Sequence, residues 1–246
     1  MQDQTNLQAK VIAHAKKMRV VSDSTRTKCV DGGYRGEEAV GAIAIPGAHL
    51  GISMALLDLG FSPEESFELV YKFSSKDGNP YCWHTDTHEG HNGVVVGCGH
   101  CNAAIGNGNH YGVEGEKTQE LLEIIRKAQE ERENMESVIL DREHAEQAIL
   151  VITSTDFTVK PWDQEDDIQF FIYDKIRHLQ MLKSLTQFIN QSGKELSYED
   201  LVASSDRQTN STLGLLGSSK GKPIFTVDVS SEEPKVELVG QAPVIE

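Results

Sequence analysis

An α/β fold, with a largely parallel sheet flanked by helices, is what the sequence predicts, on three observations. Apolar runs of strand length alternate with segments of helical periodicity along the chain. Two of those runs end in a cysteine closely followed by glycine, as strands that feed a turn do. The chain has 246 residues, enough for one large α/β domain, and shows neither an internal repeat nor a linker strong enough to divide it. Residues 1–246 are therefore read as a single domain.

The elements follow in order. Residues 4–18 carry Leu7, Val11, Ile12 and Ala15 on one helical face. Thr25–Val30 reads as a short strand entering the turn Asp31-Gly32-Gly33, and Val40–Ile45 as a second strand closed by Pro46-Gly47. His49–Leu59 is expected as a buried helix ended by Gly60. Ser62 suits the N-cap of a helix through Phe73, with Glu64 and Glu65 in the first turn, where acidic groups favour the dipole. Lys76–Gly93 has no periodicity and reads as a functional loop. Val94–Val96 is a fully apolar strand, and Cys101–Ile105 begins a helix. Residues 116–136 form an amphipathic helix through Leu121, Leu122, Ile125 and Ala128. Ala148–Thr153 is a strand, Asp167–Asn190 a long helix with Phe170, Phe171 and Tyr173 in the core, and Ser197–Val202 a short helix. Pro223–Asp228 and Val236–Val239 are the last strands.

Charge and composition exclude some classes. With 38 acidic against 23 basic residues the formal net charge is -15, whereas a nucleic-acid partner needs a basic face. Lys16, Lys17, Arg19 and the pair Glu232-Glu233 read as solubilising surface. MQDQTNLQAK lacks the apolar run of a signal peptide, and no stretch reaches the ~20 apolar residues of a membrane span. The expectation is a cytoplasmic protein with reduced thiols and no membrane partner. At this length a domain folds without a metal or disulfide, so a metal site would be there for chemistry.

The soft-ligand residues are unevenly distributed. Of 4 cysteines and 9 histidines, Cys82, His84, His88, His91, Cys98, His100 and Cys101 fall within positions 82–101. In a reducing compartment such clustering points to a metal or to catalysis. Cys29 and Cys98 each stand at the expected carboxyl end of an apolar strand, where sites assemble in open parallel sheets. Two thiolates and one imidazole would hold zinc with an open fourth position, the catalytic pattern. His84, His88 and His91 all lie within reach, and the residues alone do not choose among them.

Lys28-Cys29-Val30-Asp31-Gly32, Pro46-Gly47, and His88-Glu89-Gly90-His91 leading to Gly97-Cys98-Gly99 resemble the zeta-class carbonic anhydrases, the cadmium/zinc enzymes of diatoms. His144-Ala145-Glu146, Ile149–Thr153, Thr158, Pro161 and Asp174 extend the likeness more thinly over residues 25–190. The beta class, distantly related, fits less well, since no histidine stands three residues before Cys98 or Cys101. The resemblance implies a beta-carbonic-anhydrase-like fold, Cys29, His88 and Cys98 as ligands of Zn²⁺ or of Cd²⁺ or Co²⁺, and Asp31 as the catalytic carboxylate. It also implies a lyase reaction, hydration of carbon dioxide to bicarbonate by a metal-bound hydroxide. Zinc lowers the pKa of bound water from 15.7 to about 7–9, and Asp31 would accept a hydrogen bond from the resulting hydroxide. His84, His91 and His49 are relay candidates. Homo-oligomerisation through helices, the N-terminal one being a candidate, is the implied assembly.

One departure stands out. The family places an arginine two residues after the aspartate, keeping that carboxylate off the metal; here the position is Gly33. Arg35 is the candidate dyad partner in its place, with Arg26 as the other, since a bidentate pair needs only the fork nearby. Otherwise Asp31 closes the fourth position and the protein is a non-catalytic zinc binder. Rival readings are a dithiol redox protein at Cys98-Gly99-His100-Cys101, a metal-dependent hydrolase drawing on His84, His110 and His144, and a structural zinc site completed by Cys82 or Cys101.

Overall fold

The computed structural model describes residues 2–17, 27–29, 43–75, 87–89, 95–97, 115–132, 146–153, 168–218 and 223–241. In chain order these hold α1 (Gln2–Lys17), β1 (Thr27–Cys29), β2 (Ile43–Ile45), α2 (Ala48–Asp58), α3 (Pro63–Ser75), β3 (Thr87–Glu89) and β4 (Val95–Gly97). The second half holds α4 (Gly115–Glu131), β5 (Glu146–Ile152), β6 (Ile168–Asp174), α5 (Lys175–Gln191), α6 (Tyr198–Ser218), β7 (Pro223–Asp228) and β8 (Lys235–Gln241).

Helix dominates, and the expected largely parallel sheet flanked by helices is overturned. The longest helix, α6, has 21 residues, whereas β1 to β4 have 3 each. Strands divide among three hydrogen-bonded sheets: β1 with β2 in parallel, β3 with β4 antiparallel, and a four-stranded mixed sheet ordered β6-β5-β7-β8. In the last, β5 runs parallel to both β6 and β7, and β8 closes one side antiparallel. An apolar run shows that a segment is buried without showing whether strand or helix buries it, and here helices carry most of the core. Among the largest fully buried side chains, Leu50, Ile52, Met54 and Leu56 stand on α2, Phe67 on α3, and Leu121 and Leu122 on α4; Ile45 alone is on a strand.

The local reasons are visible in the sequence. From Ala48 to Leu57 every residue of α2 is buried, which is what an element without a polar face must do. Its neighbour α3 begins with a capping box: the Glu65 amide donates to Ser62 Oγ at 3.2 Å, and the Ser62 amide donates to Glu65 Oε2 at 3.3 Å. Lys194, then the Ser62 amide, hold the Glu65 carboxyl below its usual range. On α3, Phe67 stacks on Tyr71 at 5.7 Å, and the Arg132 guanidinium covers both rings. Phe67 is 2% exposed. Phe67→Ala should therefore cost about 3–5 kcal/mol, read as a lower urea midpoint with an unchanged slope.

Residues expected as one helix from Asp167 split instead. Ile168–Asp174 is strand β6, and Asp174 then caps α5 by accepting from the Arg177 amide at 3.1 Å. The run Ile-Gln-Phe-Phe-Ile-Tyr is rich in β-branched and aromatic side chains that fit a pleated surface. Helix α6 is also far longer than the segment expected at Ser197–Val202. At the other end of the chain, Val11 and Ala15 of α1 are fully buried, α1 packs on β8, and Lys16 reaches Glu233 at 2.8 Å. Part of the apolar stripe considered for oligomerisation is thus covered within the chain. Among the described residues no helix is long and apolar enough to cross a membrane.

Candidate metal centre

β1 and β2 pair in parallel with Thr27 opposite Ile43 and Cys29 opposite Ile45. Cys29 is therefore the last residue of its strand, at the carboxyl edge, as expected. At the same edge the chain leaves β2 through Pro46 and Gly47 and enters α2. That turn is tight: Gly47 has φ 68° and Ala48 φ 50°, a left-handed conformation uncommon for a residue with a Cβ.

Thr27, two residues before Cys29 on β1, is well defined. The Thr27 hydroxyl is fully buried and lies 2.9 Å from His49 Nδ1, on the first turn of α2. His49 is itself 1% exposed. A relay to solvent needs an exposed ring, so His49 is better suited to packing α2 against β1 than to handing protons to water.

The region expected to be a functional loop contains β3. In register, His88 stands opposite Val96 and Thr87 opposite Gly97. His88 is thus the central residue of a paired strand, and Cys98 follows β4 immediately in the sequence. Strand pairing ties the His88 backbone to that of β4, two positions before Cys98 in the chain.

Cys98, Asp31, Gly33, Arg35 and Arg26 lie outside the described residues, as do Cys82, His84, His91, His100, Cys101, His110, His144 and the helix expected at Cys101–Ile105. For Cys29 and His88 the description covers the backbone. Among the described residues no group of three or more His, Cys, Asp or Glu side chains converges as metal ligands would. Two thiolates and an imidazole remain a donor set matched to a soft or borderline divalent ion.

A second polar cluster, absent from the sequence reading, lies where β6, α5 and α6 meet. Tyr173 Oη is 3.2 Å from His178 Nδ1, and Ser205 Oγ is 3.2 Å from His178 Nε2. Asp174, fully buried, pairs with the buried Arg177 at 3.6 Å. Burial pushes the His178 imidazole down to about 3. Burial, then the negative charges of Asp206 and Asp174, push the Tyr173 phenol up, against a hydrogen bond with Thr209. A helix drawn through Asp167–Asn190 hid this cluster. The β-rich composition before Asp174, and Asp174 as a cap, were the signals that could have revealed it.

Comparison with protein-family models, with curated proteins and with solved structures finds no match to this chain. The residues themselves carry the functional reading.

Proposed function

We propose that the chain is a metal-dependent carbonic anhydrase, hydrating carbon dioxide to bicarbonate at a centre held by Cys29, His88 and Cys98. The observation that carries this reading is the concentration of cysteine and histidine at positions 82–101, with His88 on a strand paired to the one that leads into Cys98. The overturned sheet architecture removes fold likeness from the support, so the reading stands on the donor set. Zinc, or cadmium or cobalt in its place, would supply Lewis acidity that makes a water molecule acidic near neutral pH. The two thiolates donate charge and hold that acidity toward the weaker end of the range. Asp31 accepts a hydrogen bond from the attacking oxygen and orients its lone pair toward carbon dioxide. Arg35 pairs with Asp31 and keeps its carboxylate from closing the site. The substrates are small molecules, and the cytoplasm is the proposed location.

Stopped-flow hydration of carbon dioxide by zinc-loaded protein tests the reading, which requires a rate above buffer. Zinc bound one per chain with no such rate would leave a binding site and remove the enzyme. That second outcome would mean that Arg35 does not pair with Asp31, which then closes the site for want of the arginine that the resembling family has at the position of Gly33. Gly33→Arg should then raise the hydration rate at unchanged zinc content. An unchanged rate would show that the missing guanidinium does not limit turnover.

A further inference from the structure

Helix α6 is docked by an unusually polar face. Its buried residues with described side chains are Leu201, Ser204, Ser205, Gln208 and Thr209, four of the five being polar. Ser204 Oγ donates to the Ala55 carbonyl at 3.0 Å and also to Asp58, which Arg207 pairs with as well. Leu201, with Tyr198, Val202 and Leu213 packed against the core beside it, anchors the helix, and the buried hydroxyls add hydrogen bonds whose loss would weaken its docking. His178 is the centre of these bonds, touching Tyr173 of β6 on one nitrogen and Ser205 of α6 on the other. Its ring also meets Tyr173 edge-on, with centroids 5.8 Å apart. Both partners are neutral hydroxyls, so among the described residues a proton on the buried imidazole meets no hydrogen-bonded carboxylate.

The surrounding charges do not change this. From β6 come Tyr173 and Asp174, the latter engaged by Arg177 of α5. From α6 comes Asp206, which acts on Tyr173, while Glu199 and Asp200 are exposed in its first turn and Arg207 is held by Asp58. On α3, Glu65 pairs with Lys194, Glu68 with Arg132 and Lys72, Glu64 is exposed, and Arg132 lies over Tyr71. β2 is Ile-Ala-Ile, and Glu146 stands at the end of β5 remote from Ile152, the residue opposite Asp174.

We propose that the Tyr173–His178–Ser205 contact is an acid-operated latch, in which α6 is docked on α2 and α5 while His178 is neutral and is released when His178 takes up a proton. The released ring regains the ordinary histidine affinity, pKa about 6.5, while the docked ring resists protonation. Mild acid thus favours the undocked helix without protonating the docked form.

Hydrogen exchange of the intact chain at pH 7.5 and pH 5, corrected for intrinsic rates, tests this. Linkage at an ordinary histidine predicts that α6 protection falls about 30-fold over that interval, while α4, which packs on α3, stays more strongly protected than α6 at both pH values. His178→Gln should make α6 protection independent of pH in the same range. Equal α6 protection at both pH values, exchange of α4 as fast as that of α6 at pH 5, or persistence of the effect in His178→Gln would each overturn the latch. Should His178→Gln not fold, the ring ¹⁵N shifts of His178 in the intact chain decide. A docked ring that stays neutral at pH 5 supports the latch, and one that titrates near 6.5 with α6 still protected refutes it.

Discussion

Cys29→Ser, His88→Ala and Cys98→Ser are each expected to strip the chain of its zinc. A purified sample should carry one zinc per chain before substitution and far less than one after dialysis of any of the three. Loss of a partner outside the ligand set costs roughly 10–100-fold in metal affinity, and loss of a direct ligand from a three-residue set should exceed that range. Competition with a chromogenic chelator measures it. Cys82→Ser and Cys101→Ser are the controls: both should keep the metal. If either loses it, a closed four-ligand site replaces the open one, and the rate-enhancing role goes with it. Phe67, Leu50 and Leu121 are buried in a core of apolar side chains, and a domain of this length folds on such a core without a metal. Far-ultraviolet circular dichroism of the three variants should therefore match the parent.

Acid should destabilise the whole fold through His178. The imidazole is 3% exposed and is pushed down to about 3 by burial. An unfolded chain binds a proton there near pH 6.5, and the folded chain does not until about pH 3. Stability from this group is therefore complete above pH 6.5 and falls as pH drops from 6.5 toward 3. At ~1.4 kcal/mol per pH unit the loss between pH 7 and pH 4 is about 3 kcal/mol. Urea denaturation at the two pH values measures it, and His178→Gln should remove most of the difference. Carboxylates held low, such as Asp228 through its bonds with Ser230, lose stabilisation in the same direction but at lower pH. The histidine contribution is thus recognisable by its onset near 6.5.

How far these features were legible in the sequence varied with the kind of signal involved. The Ser62 cap, the continuous apolar character of Ala48–Leu57 and the amphipathic stripe of Leu121, Leu122 and Ile125 are local, and the helices they imply are present. Sheet architecture depends on which strands meet, which no local run encodes. Three-residue strands such as β3 are shorter than any periodicity window, so the strand carrying His88 read as loop. The His178 cluster needed residues 173, 178 and 205 to be brought together by a strand, a helix and a second helix. Cys29 at a strand end was legible because an apolar run followed by Asp-Gly-Gly fixes where a strand must stop.

The ligand set is tested most directly by the absorption spectrum of cobalt-substituted protein. Two thiolates and one imidazole about a four-coordinate ion predict a strong sulfur-to-cobalt charge-transfer band with intense visible transitions. The charge-transfer band should be lost together with the metal in Cys29→Ser and equally in Cys98→Ser, while Cys82→Ser leaves it unchanged. Stoichiometric cobalt without a charge-transfer band, or a band that neither Cys29→Ser nor Cys98→Ser diminishes, would contradict the proposed centre.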